Sequence, residues 1–131
     1  MYVPFFKLLL FFDLLDVSIE NLPNGYTYAG EVDIAFKPSG KGVQFRPSGR
    51  KGYSGFFKNG FKHGLGTLFY ENGNKAYEGE FLKGLMSGNG IMYYDSGRVL
   101  SRGIFKNGDL EKGILFGING EILANKTGKR K

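Results

Sequence analysis

The chain has no cysteine and a single histidine, His63, among its 131 residues. Without cysteine there is no disulfide framework, thiol nucleophile or Cys-ligated zinc. With one imidazole, a multi-histidine metal site is excluded and any Ser-His-Asp arrangement rests on one residue. No metal or cofactor is implied, and the chain reads as a non-enzyme. Proline is also scarce, at 4 residues, and the 22 glycines follow no Gly-X-Y triplet, which excludes collagen. Disorder is excluded by what is abundant: 13 Phe and 8 Tyr in a chain that is 41% hydrophobic can bury ample apolar surface. So much glycine among so many aromatics predicts short strands and many tight turns, in one domain. The net charge of +6 and pI near 9.5 suit an acidic partner without selecting one.

The chain divides at Pro23-Asn24-Gly25, a stop or turn signal. The preceding segment, residues 1–25, is dense in Phe and Leu. Its acids Asp13, Asp16 and Glu20 fall at i, i+3 and i+7, within about 60° on a helical wheel. Pro4 suits a first helical turn, so residues 4–20 are expected to form a helix with a narrow acidic stripe. Lys7, Asp13 and Asp16 interrupt the run short of the roughly 20 apolar residues a membrane span needs. A signal peptide is disfavoured because only Lys7 precedes most of the apolar run and no small-residue cleavage site follows. Acids where Lys and Arg would be expected weaken an interfacial helix. The favoured reading is a helix packed on the end or face of the following sheet. A cytoplasmic protein, at most peripheral on a membrane, is expected.

Residues 26–120 repeat internally. Gly55, Gly60, Gly64, Gly66 and Gly73 recur as Gly79, Gly84, Gly88, Gly90 and Gly97, at a constant offset of 24. Four copies result, at about 26–50, 53–75, 77–99 and 101–120; the first carries an insertion and the last lacks one residue. Within a copy, aromatic segments such as Tyr53–Lys58 and Thr67–Tyr70 flank Asn59-Gly60, which predicts one β-hairpin per repeat. Asn-Gly pairs at 72–73, 107–108 and 119–120, with Asp95-Ser96-Gly97 in an equivalent place, are expected at the joins. Four hairpins in series make an elongated, single-layer antiparallel meander of about eight strands, roughly 40 Å long. Alternation puts Tyr53, Gly55 and Phe57 on one side, as it does Tyr77, Gly79 and Phe81. The glycine leaves room for a ring to lie over the backbone. These rings, with Tyr70 and Tyr94, are chiefly the hydrophobic layer of the sheet. Their accessible part is the candidate aromatic binding face.

The pattern Tyr-x-Gly-x4-Gly-x3-Gly-x-Gly-x6-Gly, from Tyr53 to Gly73 and again from Tyr77 to Gly97, resembles the MORN repeat (membrane occupation and recognition nexus). The resemblance spans about residues 26–120. The outer copies depart from it: Ser101 replaces the tyrosine, and the first copy has Val32 and an insertion. It implies a curved β-meander without an active site, acting as a scaffold or targeting module toward membranes and phospholipids, protein partners or its own copies. Phrases such as FYENGNKAYEGEF are similar also to bacterial MORN-variant proteins, some regarded as antitoxin components; neutralising a protein partner is the alternative function.

Basic residues are the other candidate determinant. Arg46, Arg50, Lys51 and Lys58, together with Lys41, lie in an acid-free stretch, and residues 121–131 form a basic tail with Lys126, Lys129, Arg130 and Lys131. Such residues favour an anionic membrane lipid. A nucleic acid is not expected, because Lys58, Leu82 and Lys106 share one ladder position, and Lys51, Lys75 and Val99 another, so no phosphate-tracking stripe recurs. His63 reads as a turn residue in Lys62-His63-Gly64 without a recurring Asp or Ser partner. Gly64-Leu65-Gly66 and Gly88-Asn89-Gly90 lack the Lys-Ser/Thr and strand-to-helix context of a phosphate loop. Asn125-Lys126-Thr127 fits a glycosylation acceptor only in a secreted protein.

Overall fold

In the computed structural model, residues 16–19 and 22–127 are described, with side chains from residue 22 onward. They form β1 (Asp16–Ile19), a single 3-10 turn (Pro23–Gly25), β2 (Thr27–Val32), β3 (Pro38–Phe45), β4 (Lys51–Lys58), β5 (Phe61–Phe69), β6 (Lys75–Leu82), β7 (Leu85–Tyr93), β8 (Val99–Lys106), β9 (Asp109–Phe116) and β10 (Ile122–Thr127). The strands lie in one open sheet in chain order, each antiparallel to the last. Nine inter-strand steps give about 43 Å along the meander. The mainly β, single-layer meander expected from the glycine period is therefore present, with β1 and β10 added outside the four hairpins.

The two long sides of the sheet differ in their turns, apart from the longer Asp33–Lys37 turn that closes β2–β3 on the first side. On the first side the units close with two-residue turns at Asn59-Gly60, Lys83-Gly84 and Asn107-Gly108. Both residues of each have positive φ, for example 54° and 87° at Asn59 and Gly60, the geometry that matches strand twist in a tight hairpin. Asn107-Gly108 thus closes a unit and is not a join as the spacing had suggested. These turns are stitched together: Gly60, Gly84 and Gly108 donate their N–H groups to the carbonyls of Pro38, Lys62 and Met86. On the opposite side the joins are longer. Gly49, Gly73, Gly97 and Gly120 donate to Arg46, Tyr70, Tyr94 and Gly117 in four near-identical loops.

Between the two sides, a row of facing glycines crosses eight strands. Gly30, Gly42, Gly55, Gly66, Gly79, Gly90, Gly103 and Gly113 pair in succession. The signature tyrosines fold onto this row, because without a Cβ the backbone admits a ring at van der Waals distance. An added Cβ on Gly42, Gly66 or Gly90 would strike the ring of Tyr28, Tyr53 or Tyr77 respectively.

The expected helix is corrected where the structure describes it: residues 16–19 are a strand, paired Asp16 to Glu31 and Ile19 to Tyr28. Asp-Val-Ser-Ile alternates with period 2 and places β-branched residues at alternate positions, which suits an edge strand. The acid spacing that suggested a helix there had no weight against the open edge of β2. The remainder of that helix, residues 4–15 and 20, lies outside the described residues. The segment read as a basic tail begins with β10, paired to β9.

Candidate interaction surface

Burial sorts the sequence-predicted aromatics. Tyr53 and Tyr77 are 0% exposed, and Phe57 and Phe81 are also buried, so these four are core and offer no binding area. With Tyr28 and Phe105 they form a continuous edge-to-face ladder, ring centroids 5.0–5.2 Å apart: Tyr28, Phe57, Tyr53, Phe81, Tyr77, Phe105. Such contacts add about 0.5–1.5 kcal/mol each beyond area. Every tyrosine hydroxyl in the ladder donates to a carbonyl three residues on, Tyr28 to Glu31, Tyr53 to Phe56 (2.7 Å) and Tyr77 to Glu80 (2.9 Å). Burial, reinforced by the Glu80 charge, pushes the Tyr77 phenol up to about 12. Burial drives Tyr53 in the same direction.

Tyr70 and Tyr94 sit apart from the ladder, at the start of the long loops. Half-buried, they tie one hairpin to the next, donating to the carbonyls of Tyr93 (2.6 Å) and Phe116 (2.8 Å). Arg46 holds the equivalent place in the previous loop, its Nη2 donating to the Phe69 carbonyl at 2.7 Å, beside Glu71 at 3.6 Å.

The basic candidates do not form one patch. Exposed Arg50 and Lys51 share the long-loop side with Arg46, and Lys51 lies 5.4 Å from the Phe69 ring centroid. Lys58 is at the far end of β4, on the tight-turn side. Lys126 belongs to β10 and donates to the Leu110 carbonyl at 2.6 Å. Lys129, Arg130 and Lys131 lie outside the described residues. His63 is within β5, half-buried, in the irregular stretch before Gly64, and not in a turn. Among the structural glycines, Gly55, Gly66, Gly79 and Gly90 belong to the crossing row. Gly60, Gly84, Gly73 and Gly97 make turns, and Gly64 and Gly88 adopt φ of 78° and 73° where β5 and β7 bulge.

Two features escaped the sequence reading. Lys62 stands where the next units have Met86 and Leu110, opposite Phe57 as those are opposite Phe81 and Phe105. Its Nζ lies 5.4 Å from the Tyr53 ring centroid, and burial pushes its pKa down. The other is the face away from the ladder, where Phe56, Phe61, Leu65, Leu82 and Leu85 are exposed. Alternation is the signal that finds Phe56, Leu82 and Leu85, which neighbour Phe57, Phe81 and Met86. The same face carries a shallow groove of about 530 Å³, floored by Gly90, Gly103 and Gly113 and flanked by Glu78 and Arg102.

Among the described residues no cluster of His, Asp or Glu could hold a metal, and no helix is long and apolar enough to cross a membrane. The family model of the MORN repeat matches residues 53–75 and 77–97. The two central units, β4–β5 and β6–β7, are therefore MORN repeats. No curated protein matches the chain.

Proposed function

We propose that the chain is a non-catalytic interaction platform, a MORN-type sheet that serves as a scaffold or targeting module for a protein partner or an anionic membrane surface. The observation that supports this reading most is the division of labour between the two faces. The ladder tyrosines and phenylalanines are sealed into the core, whereas large apolar side chains lie exposed on the other face. Exposed apolar clusters rimmed by charge mark sites of association. MORN repeats commonly act as protein- or membrane-binding modules, in line with this reading.

The test is co-sedimentation of the full chain with phosphatidylserine-containing and with phosphatidylcholine vesicles at low and moderate salt. Saturable binding to the anionic vesicles, weakened by salt, is the result expected of a membrane-targeting module. Failure to bind either vesicle removes the membrane from the proposal and leaves a protein partner as its only object.

A further inference from the structure

We propose that the tight-turn side of the sheet is the element that contacts an anionic bilayer, with turn lysines on the headgroups and apolar side chains entering the interface. The inference rests on the membrane-targeting reading above and assigns it a surface.

Nine large hydrophobic residues are exposed among those described, and six of them gather on this side. Ile34 is in the β2–β3 turn and is 99% exposed. Phe61 opens β5, and Leu82 and Leu85 face each other across the Lys83-Gly84 turn. Phe56 and Leu65 extend the same apolar surface one step inward on β4 and β5. Phe56 flanks buried Phe57, and Leu82 flanks buried Phe81, so alternation turns both away from the core.

Every turn on this side also carries one exposed lysine: Lys37, Lys58, Lys83 and Lys106. The acids in these turns are Asp33 and Asp109, and Glu31 and Glu80 lie one step inward, where their carboxylates accept the N–H groups of Lys41 (2.6 Å) and Asn89 (2.8 Å). Asp33 is held by its own turn, its Oδ1 accepting the N–H groups of Ala35 (2.8 Å) and Lys37 (3.0 Å). Asp109 is paired in register with Lys106. Consecutive turns are about 10 Å apart, so the four lysines line a row of roughly 30 Å. The hydrogen bonds from Gly60, Gly84 and Gly108 hold that row in line.

Lysines at headgroup level with Phe and Leu beneath them are the combination that holds a protein on an anionic bilayer. The long-loop side has as much basic charge, in Arg46, Arg50, Lys51, Lys75 and Arg98. Its exposed large hydrophobics, however, are confined to the last loop and β10, at Ile118, Ile122 and Leu123.

The experiment compares two charge-matched variants of the full chain on phosphatidylserine–phosphatidylcholine vesicles. One carries Lys37→Gln, Lys58→Gln, Lys83→Gln and Lys106→Gln; the other carries Arg50→Gln, Lys51→Gln, Lys75→Gln and Arg98→Gln. Circular dichroism checks that both remain folded. The tight-turn variant is expected to lose up to ~1,000-fold in partitioning and the long-loop variant far less. A second measurement uses Phe61→Trp, a unique reporter because the chain has no tryptophan; its emission should shift to the blue on anionic vesicles only. Equal losses in the two variants, or an unshifted emission from the Phe61→Trp reporter with the protein bound, overturn the proposal while leaving membrane targeting intact. Absence of binding by the unaltered chain overturns both.

Discussion

Substituting Gly66 by Ala isolates the contact on which the whole ladder depends. Gly66 has no positive φ, so alanine meets no backbone strain there. The new methyl group would instead occupy the space of the Tyr53 ring, striking its hydroxyl and ring carbons. The ring must then leave its place. Doing so gives up the hydrogen bond to the Phe56 carbonyl, worth about 1 kcal/mol. It also breaks the edge contacts with Phe57 and Phe81, about 0.5–1.5 kcal/mol each. The expected loss is about 2–4 kcal/mol, a large fraction of the ~5–15 kcal/mol that holds a domain together. Urea unfolding followed by circular dichroism reads it. Gly52→Ala is the control: Gly52 also lacks a positive φ, and its added methyl would come no closer than 3.4 Å to other atoms. That change should stay within ~1 kcal/mol. In a Tyr53→Ser background, which copies the protein's own Ser101 unit, Gly66→Ala should cost almost nothing further. An unchanged cost in that background, or a cost equal to that of Gly52→Ala, would refute the ring-over-glycine account.

Ser101 is 1% exposed and its Oγ has no hydrogen-bond partner, so Ser101→Ala should stabilise by about 1 kcal/mol; a lower melting temperature would contradict this. Lys62→Met, which installs the residue of the following unit, should raise the urea midpoint at neutral pH. Because burial lowers the Lys62 pKa, the folded wild type binds fewer protons than the unfolded chain and gains stability as pH rises toward 10.5. The advantage of the Met variant should shrink over that window, and a constant gap would sink the argument. Tyr77 runs the other way: pushed from 10.0 up to about 12, it contributes stability that is complete below pH 10 and is lost as pH rises toward 12. Phenolate absorbance should therefore show Tyr77 ionising together with unfolding, and titration in a fully folded protein would show the burial to be wrong.

Much of this fold is legible in the sequence because the glycines have separate steric duties at a fixed spacing. Gly60 and Gly84 close hairpins, Gly55 and Gly66 admit a ring, and the 24-residue offset carries each duty into the next unit. Tyr53 and Phe57 could be placed on one face by alternation. Alternation alone did not show how far the rings close over the backbone, so the same residues also stood as a binding face. Segment 16–19 was misread because acid spacing at i and i+3 is compatible with a helix, while the unpaired edge of β2 is a tertiary fact. The exposed apolar side, from Ile34 to Leu85, was passed over for a simpler reason. Phe61 and Leu65 read as further core positions until the turn at Asn59-Gly60 and the bulge before Gly64 fix which way they face.

That the signature tyrosines are core and unavailable to a partner can be tested most directly by chemical modification of tyrosine in the native chain, read peptide by peptide by mass spectrometry. Tyr28, Tyr53 and Tyr77 should resist modification until the protein unfolds, while half-buried Tyr26, Tyr70, Tyr93 and Tyr94 react. Modification of Tyr53 and Tyr77 at the rate of Tyr70 would mean that the ladder is open to solvent, and the proposed division between a sealed face and an associating one would fall with it.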